Sequence, residues 1–276
     1  VAGRRLIALL TDFGTRDIYV GVMKGVIATI APEALLVDLT HEIAPGNIAG
    51  GAFCLGSAVA YLPTDTIYLA VVDPGVGTDR RAVALATGRG LFVGPDNGLC
   101  APLVTAVVHT AVELRERRFW RTAEPSATFH GRDLFAPVAA HLASGVPLAA
   151  LGPAFDPATL VPLTAPGYTL TPTGIDGSIR AIDRFGNLVT TIPAAAVAGR
   201  PWRLRVGGQL IPAGRTYGDR PPGEAVTLIG SHGFVELSIN GGDAAAHFRL
   251  AQGDTVTLLW VGEPSGELFA LPPGWV

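Results

Sequence analysis

Hydrophobic and polar positions along the first half of the chain follow two periods in turn. Residues 6–10 are a short unbroken apolar run that stops at Thr11-Asp12, the pattern of a buried strand. Over 17–30 the apolar residues Val20, Met23, Ile27 and Ile30 recur at helical spacing, and Pro32 closes the segment, so a helix is predicted there. The alternation continues with a strand at 35–39, a helix rich in small residues at 48–61, strands at 67–72, 82–86 and 91–93, and a helix at 134–142. Strands that take turns with helices predict an α/β sandwich, a mostly parallel sheet covered on both faces.

The pattern changes after Pro153. Pro157, Pro162, Pro166 and Pro172 interrupt a stretch with little periodicity, and 161–173 reads as a linker. Beyond it, short apolar segments at 177–183, 188–192, 202–206, 225–229, 234–239 and 255–261 are separated by Gly-Gly, Pro-Pro-Gly and Asn-Gly-Gly turns. That rhythm predicts a smaller β-barrel. The expected organisation is therefore an α/β domain over 1–160 and a β-barrel domain over 174–276.

Composition narrows the function classes. The chain has 276 residues and a formal charge of −3, with no basic face of the kind nucleic-acid binding needs. The one lysine, Lys24, stands against nineteen arginines. No apolar run is long enough to span a bilayer, and no secretory leader precedes the first strand, so a cytoplasmic protein without membrane partners is expected. Cys54 and Cys100 sit in apolar surroundings without C-x-x-C spacing and read as free thiols.

The candidate chemistry lies at the ends of the predicted strands, where open α/β sheets bind ligands. Asp12 follows the first strand; it is either a ribose-diol ligand or the cap of the next helix. Asp73 and Arg80 bracket the loop Pro74-Gly75-Val76-Gly77-Thr78, and His130 sits in Thr128-Phe129-His130-Gly131. An Asp-Arg pair by itself is as well explained by a structural ion pair. With an imidazole added, the trio can hold a water: Arg80 stays cationic, His130 accepts or relays a proton, and Asp73 orients either. His41, Asp73 and His130 match no metal-ligand spacing, so no metal and no cofactor is expected. G-x-G-x-x-G, the Walker lysine and G-x-S-x-G are all missing. In the second half, Asp183-Arg184-Phe185-Gly186-Asn187 is either a plain turn or a nucleoside contact, since an Asn amide can read an adenine edge. Tyr217 is a base-stacking candidate or an exposed loop tyrosine. Ser231, His232 and Glu236 bind a zwitterion or serve only the turn.

Together these motifs resemble the S-adenosylmethionine hydroxide adenosyltransferases, relatives of fluorinase and chlorinase. The resemblance runs in order through Thr11-Asp12-Phe13-Gly14, Asp17-Ile18-Tyr19-Val20-Gly21, Met23-Lys24-Gly25, Asp38-Leu39-Thr40-His41, the Asp73 to Arg80 loop, Gly94-Pro95-Asp96-Asn97-Gly98, Thr128 to Asp133, Phe185-Gly186-Asn187 and Ser231-His232-Gly233. It implies a homotrimer with each active site between one subunit's first domain and its neighbour's second. It also implies attack of water or hydroxide on C5′ of S-adenosyl-L-methionine, giving adenosine and L-methionine. Asp73, Arg80 and His130 are the implied catalytic trio. Asp12 is the implied ribose ligand, and Asn187 and Tyr217 lie around the adenine. Thr128 joins the substrate-binding set. Asp17, Asp183, Ser231, His232 and Glu236 belong to the methionine end or its surroundings.

In the halogenase branch other residues replace the trio, and a serine stands at the position of Gly131. Keeping Asp73, Arg80, His130 and Gly131 points to water rather than halide. Gly46 departs from relatives that carry an aromatic there, which loosens one wall of the pocket. The alternatives are a chlorinase-type halogenase and a non-catalytic binding protein for S-adenosylmethionine or adenosine.

Overall fold

The structure is a computed structural model that describes residues 5–105 and 107–262. Residues 263–276, the end of the predicted second domain, lie outside the described residues. The chain divides into two compact units, Val1–Thr164 and Ala165–Val276.

The first unit runs β1 (Leu6–Thr11), α1 (Tyr19–Ile30), β2 (Leu35–Thr40), α2 (Ile48–Val59), β3 (Ile67–Val71), β4 (Ala82–Thr87), β5 (Gly90–Pro95), α3 (Ala101–Val104), β6 (Val108–Glu113) and α4 (Ala136–Ala143). Its sheet has the order β2-β1-β3-β5-β4-β6. Strands β2, β1, β3 and β5 are parallel, while β4 is antiparallel to both β5 and β6. The exception has a local cause: Thr87 pairs Gly90 across a tight hairpin, too short for the crossover that parallel neighbours require.

Apolar runs without alternation are what a sheet covered on both faces needs. Along β1 and β3, Ile7, Leu9, Ile67, Leu69 and Val71 pack toward Met23 and Ile27 of α1 and toward α4. Ala8, Leu10, Tyr68, Ala70 and Val72 point the other way, toward Ala52, Leu55 and Val59 of α2. Removing a side chain such as Met23 or Ile27 from water stabilises by roughly 1.5–3 kcal/mol.

Two features depart from the apolar pattern. Helix α1 begins at Tyr19 behind Ile18 rather than at Asp17, and no side chain caps it. A π-helical turn, Gly131–Phe135, precedes α4. Strand β6 and helix α3 were not legible in the sequence, because the first alternates weakly at the sheet edge and the second spans a single turn.

The second unit contains β7 (Thr169–Thr171), β8 (Gly174–Ile182), β9 (Leu188–Pro193), α5 (Ala194–Val197), β10 (Trp202–Val206), β11 (Gln209–Pro212), β12 (Ala225–Ile229), β13 (Phe234–Ile239), α6 (Ala244–Phe248) and β14 (Thr255–Trp260). The antiparallel order is β11-β10-β14-β8-β9-β13-β12, with β7 pairing β8 outside this path. Residues 169–171, inside the stretch read as a linker, are thus a strand. The two ends of the sheet approach where Gly214 N donates to Thr227 O at 2.7 Å, leaving a nearly closed barrel. In β10, Trp202, Leu204 and Val206 are buried while Arg203 and Arg205 face out, the period-2 pattern of a one-sided strand.

Candidate active site

In the first unit the candidate residues gather at the carboxyl ends of β1 and β3. Asp73 lies two residues past β3, and its side chain is only 4% exposed. The turn beyond it is held by Val76 N donating to Asp73 O at 3.1 Å and by Thr78 Oγ1 donating to Gly75 O at 2.7 Å. This turn brings Arg80 back over Asp73. Its Nε donates to Asp73 Oδ1 and Oδ2 at 2.9 and 3.0 Å, and its Nη2 also meets Oδ2. The same Nη2 lies 2.8 Å from His130 Nδ1.

That contact assigns the imidazole's roles. A guanidinium can only donate, so His130 Nδ1 accepts and the neutral ring carries its proton on Nε2. Burial, then the Arg80 charge, push the His130 pKa below its ordinary value, against the opposing carboxylates of Asp73 and Asp133. From sequence alone the ring is free to accept or relay a proton; the guanidinium leaves it a donor at Nε2.

The His130 loop is fastened from below. Asp133 is fully buried and was given no role in the sequence. Arg132 Nε and Nη2 donate to its two oxygens, each at 2.7 Å. Ser126 N donates at 2.9 Å, and Arg121 Nε joins the same carboxylate. The Asp133 carboxyl is therefore held below the usual carboxylate range, the ion pairs outweighing its burial. The signal was present, an acidic residue inside an apolar helix start beside Arg132, although Ser126 and Arg121 reach it from 7 and 12 positions upstream. Gly77, at φ +78°, joins the two loops: a Cβ there would lie 2.3 Å from Ala127 O. At Gly131 a Cβ would meet Met23 Sδ and Phe129 Cε2 at 3.2 Å and Phe13 Cε2 at 3.3 Å.

Asp12 reaches the same end of the sheet. Its Oδ2 accepts from Gly46 N at 2.8 Å, and Gly46 itself faces the Pro74 side chain, next to Asp73. Thr128 is exposed, with Oγ1 3.2 Å from Ser126 Oγ. Asp17 is exposed on the approach to α1 and is not drawn into the cluster.

The candidate residues of the second unit share one cleft of about 800 Å³, lined among others by Asp183, Asn187, Tyr217, Ser231, His232 and Glu236. Several are already engaged with one another. Asp183 Oδ1 accepts from Phe185 N at 2.8 Å and Asn187 N at 2.9 Å, and its Oδ2 accepts from Asn187 Nδ2 at 2.8 Å. Asp183 thus builds the turn and fixes the Asn187 amide. The buried Glu236 accepts from Tyr217 Oη at 3.0 Å and Ser238 Oγ at 2.8 Å. His232 Nε2 lies 2.9 Å from Glu236 Oε2, and its Nδ1 accepts from Phe234 N at 3.2 Å. Burial would raise the Glu236 carboxyl, but these donors hold it below its ordinary value. Burial and the Glu236 bond push the Tyr217 hydroxyl up to about 12, so it stays protonated as a donor. Ser231 is exposed at the rim.

Cys54 and Cys100 are free thiols; burial, with the Asp96 charge, pushes Cys100 up to about 12, far from a reactive thiolate. Among the described residues no helix is long and apolar enough to cross a membrane.

Comparison with known proteins places both units. Residues 7–152 match the SAM hydroxide adenosyltransferase N-terminal domain, and residues 177–257 match the C-terminal domain of the same family. The (R)-S-adenosyl-L-methionine hydrolase of Salinispora tropica is 45% identical over 90% of this chain and 95% of its own. A fluorinase of Actinoplanes sp. is 30% identical over 93% of this chain and 98% of its own. Among solved structures, an uncharacterized conserved protein from Thermotoga maritima is similar with a TM-score of 0.85 and 35% identity, covering 92% of this chain and 99% of that one.

Proposed function

The chain belongs to the SAM hydroxide adenosyltransferase family, and from that membership we propose that it hydrolyses S-adenosyl-L-methionine to adenosine and L-methionine, acting on the (R)-sulfonium form named for its relative. The observation that carries the mechanism is the linkage of Asp73, Arg80 and His130. Asp73 fixes the guanidinium, and the guanidinium fixes the ring. Arg80 then offers a permanent positive charge, and His130 an Nε2–H, to one oxygen nucleophile.

The chemistry matches such a site. A sulfonium leaves as a neutral thioether, so no acid is required at sulfur. Oxygen forms its bond to C5′, the C5′–S bond breaks with its electron pair going to methionine sulfur, and one proton is released to solvent. The barrier lies in stripping and aligning the nucleophile, which fixed donors lower by preorganisation. Asp12 holds the ribose diol. Asn187 and Tyr217 flank the adenine, and Ser231 and His232 border the methionine end. Thr128 lines the approach to His130, and Asp17 lies at the outer edge. Glu236 and Asp183 support their neighbours rather than contact substrate. The required residues are split between two compact units, and Ile18 and Phe185 are 74% and 76% exposed. Both observations support subunit association in which one subunit's first unit meets its neighbour's second, and the family resemblance supplies the trimeric count.

The test is isotopic. With S-adenosylmethionine in ¹⁸O-water, the 5′-oxygen of adenosine should carry the label, and the (R)-sulfonium form should be consumed first. Methylthioadenosine as the main product overturns the reading. Accumulation of 5′-chloro-5′-deoxyadenosine in chloride would instead make the protein a halogenase; the crowding around Gly131 argues against a serine-held halide.

A further inference from the structure

The motif Asp38-Leu39-Thr40-His41 and the single lysine take no part in the chemistry above, yet they form one connected chain beneath it. Lys24 Nζ, from α1, lies 2.6 Å from Asp38 Oδ2. His41 Nε2 lies 3.0 Å from Asp38 Oδ1, off the line of a well-directed hydrogen bond. His41 Nδ1 is 2.8 Å from Thr11 Oγ1, which also accepts from Phe13 N at 3.3 Å. The carbonyl of His41 accepts from Gly14 N at 2.8 Å. Thr11 is fully buried and His41 nearly so.

The consequence is geometric. His41 grips the chain on both sides of Asp12, by its ring at Thr11 and by its carbonyl at Gly14. A register shift between Leu9 and Leu10 sets β2 for this contact, pairing Leu9 with Asp38 but Leu10 with Thr40. Such an extra residue bends a strand and redirects its side chains. Lys24 and His41 outweigh the modest burial of Asp38 and hold its carboxyl below the ordinary value, so the chain is anchored by a charge at its outer end. Asp12 is thereby suspended between two fixed points, with Gly46 N on one of its oxygens.

We propose that Lys24, Asp38, His41 and Thr11 are positioning residues that hold the Asp12 carboxylate in register with the nucleoside's ribose diol. This rests on the assignment of Asp12 to that diol. The competing account is a satisfied core histidine that only stabilises the β1–β2 pair. The two differ in what the ligand feels. A merely structural network weakens all nucleosides alike, whereas a positioning network is felt only by a ligand that has a diol.

The experiment compares adenosine with 2′,3′-dideoxyadenosine by calorimetry on the full chain, for wild type, Thr11→Val, Thr11→Ser and Asp38→Asn. Wild type should prefer adenosine. Thr11→Val and Asp38→Asn should lose about fivefold or more of that preference, the scale of a weakened hydrogen bond to a charged group. Dideoxyadenosine affinity should stay unchanged, and Thr11→Ser, which keeps the hydroxyl, should restore the preference. Asp38 is on an exposed edge strand, so Asp38→Asn carries the test if Thr11→Val fails to fold. Variants that keep the wild-type preference, or lose both ligands in parallel, overturn the positioning role. A wild type that binds both nucleosides equally overturns the diol assignment itself, and an adenosine preference abolished by Asp12→Ala keeps that assignment independent of the network.

Discussion

Arg80 Nη2 stands 2.8 Å from His130 Nδ1, while the same guanidinium grips Asp73 through Nε. One permanently charged donor thus decides the tautomer of the ring beside it. A histidine locked in this way presents Nε2–H outward and resists protonation, because a proton on Nδ1 would face the guanidinium.

The first expected outcome is spectroscopic. Nitrogen NMR of His130 should show the Nε2–H tautomer, with a pKa depressed below 6.5. The sign follows: the ring is mostly neutral at pH 6.5, and turnover falls as pH drops through its lowered pKa, when protonation breaks the contact to Arg80. The linked stability is fully present above the unfolded value and declines as pH falls from there toward the folded pKa. A rate that titrates upward with a pKa above 6.5 would contradict the assignment.

Substitution of the ring separates donor from base. His130→Gln retains an N–H near the Nε2 position, and His130→Ala retains nothing. Loss of a general base typically costs about 10²–10⁴ in rate. If donation is the role, single-turnover rates of His130→Gln should fall well short of that loss, with His130→Ala much slower. Equal losses in both variants would restore the proton-acceptor role.

Asp73 and Arg80 form a mostly buried pair, with side chains 4% and 11% exposed. Removing one partner of such a pair leaves an uncompensated charge and typically costs about 3–5 kcal/mol. Asp73→Ala and Arg80→Ala should therefore both lower the unfolding free energy in urea measurably, and Arg80→Ala should in addition slow turnover while keeping the adenosine affinity of the folded protein near wild type. An Asp73→Ala protein as stable as wild type would show that the pair contributes nothing net.

Gly77→Ala places a Cβ at a left-handed φ of +78° and 2.3 Å from the Ala127 carbonyl oxygen. The strain should destabilise by roughly 1 kcal/mol or more and push the Arg80 loop from the His130 loop. A drop in both Tm and turnover is expected; an unchanged rate would mean the two loops are not held together by this contact.

In the second unit, Glu236→Gln removes the charge on which Tyr217, Ser238 and His232 converge. The wild-type carboxyl lies below its ordinary value of 4.5. Its contribution is therefore present at neutral pH and is lost as pH falls through the folded value. The variant should be destabilised at pH 7 and approach wild type in acid; a pH-independent difference in Tm would rule this out.

The ends of β1 and β3 were legible from the chain because a short apolar run closed by Thr11-Asp12, or by Asp73, marks both a buried strand and its polar rim. Asp73, Arg80 and His130 were singled out in the chain as charged and titratable residues on glycine-rich loops, and the structure brings the three into contact. Strand β7 was not legible, because three residues beside prolines carry no period. The direction of strand β4 was not legible either, because the two-residue hairpin that reverses it resembles any short loop. Asp133 and His41 were seen but not understood: their partners Arg121 and Thr11 lie 12 and 30 positions away, and spacing along a chain does not report approach in space.

What the order of residues determined on its own was the family: an ordered motif set that includes an imidazole, a guanidinium and a carboxylate on glycine-containing loops. Local patterning suffices for this, because burial period and turn residues act over a few positions. Which nitrogen of His130 holds the proton, which oxygens of Asp183 and Glu236 are already taken, and what steadies Asp12 were decided only by tertiary structure. Each depends on a donor and an acceptor meeting within about 3 Å, and that distance exists only once the sheet has brought remote loops to a common edge.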